Sequence, residues 1–558
     1  MTRRCADLLI DCLVAHGVPR VFCVPGESFL SVLDALHQRD EIATITCRHE
    51  SGAALMALTH AKLTAAVGVA FVSRGPGATN AAIGVHLAEQ DASPLVLFIG
   101  HVPRHEIGRG AFQEVDYAKT FADLAKWVAV VHDAERLPEI VAQAFTIALS
   151  PTPGPVIVVL PEDVLDEPTA AAVVAPRPLL GIGSAPSMAA AIAPLLALAE
   201  RPLLVVGGAF ASADARAVLQ RSAEVLRLPV VLTFKRQDQF PNAHQLYGGH
   251  LGFKIAPDQV ALYEEADLVL AIGTRLGEVS TQGYRFPHAP DPRQTLVHVH
   301  DDPQVPGRVI AAHHPVLADP VAFLAELAAI DAGTVLPAVS GARDDWIKRI
   351  HGYVSALRPW QPPADGSLDM GAVVAALDEG LDEDAVLITD AGNFSGWLHR
   401  HFAFSGHHRL VGAIGGAMGL AMPAAVATGL LYPQRQVVTM IGDGGFLMTG
   451  AELATAIQYG VPVKVFVCNN ASYGTIRMHQ ERSYPGRNHG TDLHNPDFAA
   501  LARAYGATGL RIASLAEALP ITREALACPG PVVVEVMCAL EHISTFATIS
   551  ALQRSARS

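Results

Sequence analysis

The chain of 558 residues has no CxxC pair, no short-period repeat, no excess of basic residues and few charges of either sign. Each absence excludes something. Its seven cysteines (Cys5, Cys12, Cys23, Cys47, Cys468, Cys528 and Cys538) are odd in number and scattered, which argues against a disulfide framework or a thiolate zinc site and suits a reducing cytoplasm. Lys and Arg total 40 against 54 Asp and Glu, a formal balance of −14, so no nucleic-acid partner is expected. Only 17% of residues are charged while 50% are apolar, enough apolar surface to offset the entropy of ordering and to exclude intrinsic disorder. The N-terminal MTRRCADLLIDCLVAHG starts basic but carries Asp7 and Asp11 inside its apolar stretch, so no secretory signal is expected.

The one uncharged run of membrane-spanning length is 410–432, LVGAIGGAMGLAMPAAVATGLLY. Five glycines and Pro423 within it predict a glycine-rich turn followed by a buried helix, and no membrane partner.

What the chain does have is an alternation of short apolar runs with amphipathic stretches, which predicts α/β architecture: three doubly wound parallel-sheet domains. Strands are expected at 20–24, 42–47, 67–72, 95–99 and 155–160; then at 203–208, 230–234, 268–273 and 296–300; then at 385–389, 436–441, 463–468 and 532–537. Domains are placed at 1–170, 190–330 and 365–558. The Ala-, Pro- and Ser-rich stretch DEPTAAAVVAPRPLLGIGSAPS reads as a linker.

The most informative segment is 436–474, in which a strand runs into Gly442, Asp443, Gly444 and Gly445 and a later strand delivers Asn469 and Asn470. Thr449 and Glu452 have the spacing of a helix capping box, and Gly460 with Pro462 stops that helix. In a parallel sheet Asp443 and Asn470 then stand at the carboxyl ends of neighbouring strands, where such sheets bind ligands. A carboxylate, an amide oxygen and main-chain carbonyls suit Mg²⁺ or Ca²⁺, and the glycines admit a diphosphate to backbone N–H groups. By spacing alone, a tight turn beside an unrelated Asn-Asn turn stays open.

GDG followed after 24 residues by NN resembles the cofactor signature of thiamine diphosphate enzymes, and nearly the whole chain resembles the acetolactate synthase and 2-oxoacid decarboxylase superfamily. The resemblance implies thiamine diphosphate and Mg²⁺, with Asp443, Asn470 and Ser472 as metal ligands and Gly444, Gly445 and Asn393 beside the cofactor. ITCRHESGAALMALTHAKLT (45–64) is similar to the segment whose glutamate hydrogen-bonds the cofactor pyrimidine, which makes Glu50, expected to be desolvated, a proton relay. Glu50 paired with Arg48 at a helix start is the plainer reading of RHE alone. GPGATN (75–80) resembles the pyrimidine-contacting loop, with Pro76 and Asn80 as contacts, and Gly416 to Met418 match the place where an apolar side chain keeps the cofactor bent. Residues 99–114 look like a substrate-side segment ending in Phe112 and Gln113. In this family the cofactor lies between two subunits, so a homodimer or homotetramer is implied.

The family resemblance favours an acetolactate synthase-like carboligase, a lyase and transferase that decarboxylates a 2-oxoacid and passes the acyl anion equivalent to an acceptor carbonyl. Pyruvate decarboxylase relatives carry a histidine pair near Phe112 and an acid at Ile476; this chain has neither. Pulling the other way, VPGES places Gly26, Glu27 and Ser28 where decarboxylases have an acid; Glu27 is then a proton donor or a turn residue. Val279 and His479 replace the arginine and tryptophan of the synthase acceptor pocket, and Thr475 replaces its methionine. A non-oxidative decarboxylase, and a catalytically silent homologue or regulatory subunit, are the alternatives. LTFKRQDQF (232–240) stands where flavin-binding synthases have a small, glycine-containing segment, so no FAD is expected.

Overall fold

The computed structural model describes residues 2–176, 181–253, 255–336 and 341–556. Runs such as VAFV and VIVVL are apolar at every position because strands of a parallel sheet covered by helices are buried on both faces. Three such sheets form, each of six parallel strands. The first comprises β1 (Arg20–Cys23), β2 (Ala43–Thr46), β3 (Gly68–Val72), β4 (Leu95–His101), β5 (Trp127–Val130) and β6 (Pro155–Pro161), in the order β2-β1-β3-β4-β6-β5. The middle sheet has β7 (Pro202–Val206), β8 (Val230–Leu232), β9 (Tyr247–His250), β10 (Leu268–Ile272), β11 (Thr295–His300) and β12 (His314–Leu317), in the order β9-β8-β7-β10-β11-β12. The third has β13 (Val386–Thr389), β14 (Arg409–Val411), β15 (Val437–Gly442), β16 (Lys464–Asn469), β17 (Thr508–Ile512) and β18 (Val532–Met537), in the order β14-β13-β15-β16-β18-β17.

The first and third sheets therefore share one topology, while the middle one has the order of a dinucleotide-binding fold. Five strands absent from the sequence reading, β5, β9, β12, β14 and β17, all lie at sheet edges. Edge strands are short and most of these are partly exposed; His314–Leu317 and Thr508–Ile512 lack the continuous apolar run that marks the interior strands, whereas Trp127–Val130 is wholly apolar but only four residues long. Of the expected linker, residues 177–180 lie outside the described residues.

Among the helices, α1 (Glu50–Thr64) is buried along Gly52–Ala61 and so has no polar face to present to water. Its neighbour α2 (Pro76–Gln90) approaches it closely at Gly84, where an added Cβ would sit 2.4 Å from Cβ of Ala54. In the third domain α3 (Met370–Gly380) flanks the sheet, and the uncharged run becomes β14, a glycine turn and α4 (Ala421–Leu431), buried from Ala421 through Gly429. One apolar cluster runs without a break from α1 and α2 through α4 to β15 and β16, so the first and third domains share a core. No helix among the described residues is long and apolar enough to cross a membrane.

The capping box expected at Thr449 and Glu452 does not form. The helix opens earlier, as α5 (Asp443–Thr449), and a 3-10 turn at Gly450–Glu452 follows. The Thr449 hydroxyl donates instead to the Gly419 carbonyl, and Glu452 reaches into the first domain.

Candidate active site

The strand order of the third sheet switches sides between β13 and β15, and the loops after its parallel strands converge there on a cavity of about 230 Å³. Its lining includes Gly392 to Phe394 after β13, Gly442 to Gly445 after β15, Asn470 and Ser472 to Ile476 after β16, and Cys538, Ala539, His542 and Ile543 after β18. Gly416 and Met418 close another side.

Asp443 is buried at the first position of α5. One carboxylate oxygen accepts the Gly444 N–H at 2.8 Å, and the other accepts Nδ2 of Asn495 at 2.8 Å. Burial pushes its carboxyl pKa upward against these bonds. Among the described residues no lysine or arginine lines the cavity to offset that charge, so the site suits a hard divalent cation. The two asparagines divide: Asn469 turns down to donate to Glu535 at 2.7 Å, while Asn470 faces the cavity, its Oδ1 accepting the Ser472 N–H at 3.1 Å. Ala471 between them has φ +51°, the left-handed kink that sets Ser472 beside Asn470. Asp443, Asn470 and Ser472 thus gather hard oxygens at one end of the cavity.

Glycine at 444 and 445 is a steric requirement. A Cβ on Gly444 would lie 2.5 Å from the Tyr473 ring and 3.3 Å from the Met418 methyl, and one on Gly445 would lie 2.3 Å from Asp390. Asp390 accepts the Gly419 and Leu420 N–H groups, which fixes the loop carrying Met418. Asn393 lines the cavity, but its side chain is engaged within the protein: Nδ2 donates to the Ile543 carbonyl at 3.0 Å and Oδ1 accepts from Thr475.

The other predicted residues form a second group, at the carboxyl edge of the first sheet. Glu50 opens α1, and its Oε2 accepts Nδ2 of Asn80 at 2.9 Å. Glu50 is half-buried in this chain, short of the full burial expected of it. Arg48 does not pair with it and donates to Gln458. Pro76 begins α2; Gly26 has no room for a Cβ against Ser73; Ser28 is hydrogen-bonded to the Ser73 hydroxyl at 2.9 Å. The Glu27 side chain is 71% exposed, 3.7 Å from Arg74. Phe112 is 74% exposed and Gln113 has φ +63° over Gly75. No residue of this group lines the Asp443 cavity, whereas Ile476 does and His479 does not.

The sequence suggested a local cap for Glu452, and the structure gives it another role. Its buried side chain accepts the N–H groups of Arg48 and His49 at 3.0 and 3.1 Å, at the N-terminus of α1 where a carboxylate complements the helix dipole. Gly52 leaves the space for it: a Cβ there would be 2.1 Å from the Glu452 carboxylate. Sequence reasoning missed Asn495 and His542, and their loops carry no sequence signal beyond being polar.

Residues 3–120 match the family described as thiamine pyrophosphate enzyme, N-terminal TPP binding domain; residues 189–327 match its central domain and 390–536 its C-terminal TPP binding domain. Among curated proteins the chain is similar to the acetolactate synthase large subunit of Parasynechococcus marenigrum, 36% identical over 95% of this chain and 87% of that protein. It is 32% identical to the acetolactate synthase of Mycobacterium bovis over 94% of this chain and 86% of that one. The acetolactate synthase isozyme 3 large subunit of Escherichia coli is 30% identical, over 91% and 89% respectively.

Proposed function

Because this chain belongs to the thiamine pyrophosphate enzyme family and is an acetolactate synthase-like enzyme, we propose that it decarboxylates a 2-oxoacid and transfers the acyl unit to an acceptor carbonyl. The observation that carries this reading is the Asp443, Asn470 and Ser472 cluster at the switch point of the third sheet, with no lysine or arginine among the described lining residues. In our reading these three would hold Mg²⁺, which would supply positive charge for a diphosphate, while Gly444 and Gly445 leave room for backbone N–H groups to approach that anion.

When bound, thiamine diphosphate supplies the nucleophilic carbon and electron sink for cleavage beside the 2-oxoacid carbonyl. Glu50 holds and moves a proton at its carboxylate, and Asn80 orients that carboxylate through Oε2. Met418, on the cavity wall, would be the apolar side chain that packs against the bound cofactor. Ile476, on the cavity wall, has no proton to give; that favours transfer to an acceptor over protonation and so favours a carboligase over a simple decarboxylase.

Glu50 and the Asp443 cavity belong to different groups in one chain, which supports a homodimer or homotetramer with each site shared between subunits. Exposed Leu447 and Met448 on α5, at 50 and 53%, supply apolar surface for that contact. FAD has no part in this reading: the Arg236 side chain lies over Gly208, 3.2 Å from where a Cβ would be, at the carboxyl end of β7 where a dinucleotide would bind. Seven cysteines, all free, fit a reducing cytoplasm.

Incubation of the purified protein with thiamine diphosphate, Mg²⁺ and a panel of 2-oxoacids, following CO₂ and product together, tests the proposal. Release of CO₂ with a carboligation product supports it, and an aldehyde as sole product overturns the transfer step.

A further inference from the structure

A diphosphate is polyanionic, and with Asp443 counted a single divalent cation leaves the cavity net negative. Among the lining residues His542 is the one side chain that can become a cation. It stands just past β18 with 17% of its side chain exposed, and its Nε2 lies 3.1 and 3.2 Å from the two carboxylate oxygens of Asp365. Asp365 is held at about 2, chiefly by hydrogen bonds from Ser367 and then by His542, so it is ionised at neutral pH and accepts from the Nε2–H of His542. With the Nε2–H given to Asp365, Nδ1 is the ring atom left for a ligand, and a proton taken up there beside a polyanion makes it a charged donor.

The other acid beside the cavity, Asp369, is already spent. It accepts the indole N–H groups of Trp360 and Trp397, each at 3.1 Å, and the Gly371 N–H at 2.8 Å. The bond from Asn393 Nδ2 to the Ile543 carbonyl, at 3.0 Å, ties the residue after His542 to the loop following β13, beside the glycines of α5.

We infer that His542, oriented by Asp365, is a cofactor-binding residue whose Nδ1–H meets the diphosphate of thiamine diphosphate. The inference rests on the thiamine reading above and adds a positive charge that the GDG…NN motif lacks. It assigns a binding role to a segment outside the motifs.

The test is titration of the metal-loaded full-length protein with thiamine diphosphate and, separately, with unphosphorylated thiamine, read by calorimetry and by fluorescence of Trp397 in the cavity wall. His542→Ala is expected to raise Kd for the diphosphate about tenfold, the effect of one charge-assisted bond, and to leave thiamine unchanged. Asp365→Asn is expected to act in the same direction by a smaller factor, and it carries the test should His542→Ala fail to fold. Unchanged diphosphate affinity in both variants, or equal losses for diphosphate and thiamine, would overturn the assignment. Failure of the unmutated protein to bind thiamine diphosphate would instead overturn the thiamine reading, and this inference with it.

Discussion

Replacing Glu452 by Leu removes the acceptor for two backbone N–H groups at the start of α1. Each donor left buried without a partner costs about 1–3 kcal/mol. Loss of a carboxylate from the helix N-terminus adds about 0.3–1 kcal/mol. Against this, Leu removes the desolvation of a buried acid, visible as a carboxyl pKa raised chiefly by burial. The net expectation is a loss of about 2–4 kcal/mol, concentrated where the first domain meets the third. Glu452→Gln keeps an acceptor oxygen and sheds the charge, so it should stay within about 1 kcal/mol of the parent. Hydrogen–deuterium exchange over residues 44–58 reads the effect locally: faster in Glu452→Leu, near parental in Glu452→Gln. A steric cycle gives a second measure. Gly52→Ala drives a methyl into the Glu452 carboxylate and should cost about 1–3 kcal/mol, most of which disappears when Glu452 is already Ala. Equal exchange in the Leu and Gln variants, or strict additivity in the cycle, would refute the clamp.

Glu50→Gln should bind thiamine diphosphate with near-parental affinity yet lose about 10²–10⁴ in turnover, as expected for a lost proton carrier; unchanged turnover removes the assigned role. Asp443→Asn, or chelation of the parent by EDTA, should abolish cofactor retention on gel filtration, and retention in EDTA would sink the metal assignment. Mixing Glu50→Gln with Asp443→Asn subunits should restore about a quarter of parental activity through hybrid dimers with one intact site, and no recovery argues against shared sites. His60 is buried, and burial lowers its imidazole pKa to about 4. The folded state then binds fewer protons than the unfolded one between pH 6.5 and 4, so stability falls as pH drops through that window, by up to about 3 kcal/mol. His60→Leu should flatten that part of the pH-stability curve, and an unaltered slope contradicts the assignment.

The interior strands were legible in the sequence because both faces of a covered parallel sheet demand apolar side chains, so position after position reads alike. Five of the six edge strands of the three sheets were not, Ala43–Thr46 being the exception, and at Thr508–Ile512 exposure on one side breaks the pattern. The Asp443 and Asn470 pair was legible because each follows directly on a strand in a stretch with fixed spacing. Glu452 looked like a local helix cap, and nothing within 436–474 could show that the backbone N–H groups it accepts, those of Arg48 and His49, lie some 400 residues earlier. His542 and Asp365 come together only because the chain after β18 returns to the approach to α3, a juxtaposition that spacing does not encode.

The apolar cluster joining α1 to α4 has a consequence for how the protein is made. Helix α1 emerges early in synthesis, but its covering partner at Ala421–Leu431 is translated hundreds of residues later. The middle sheet has apolar clusters of its own and is able to complete during that interval, while the first domain waits with an apolar helix uncovered. Chains ending before residue 420 should therefore be claimed by chaperones or aggregate, and the first domain expressed by itself should be insoluble even though its sheet is complete.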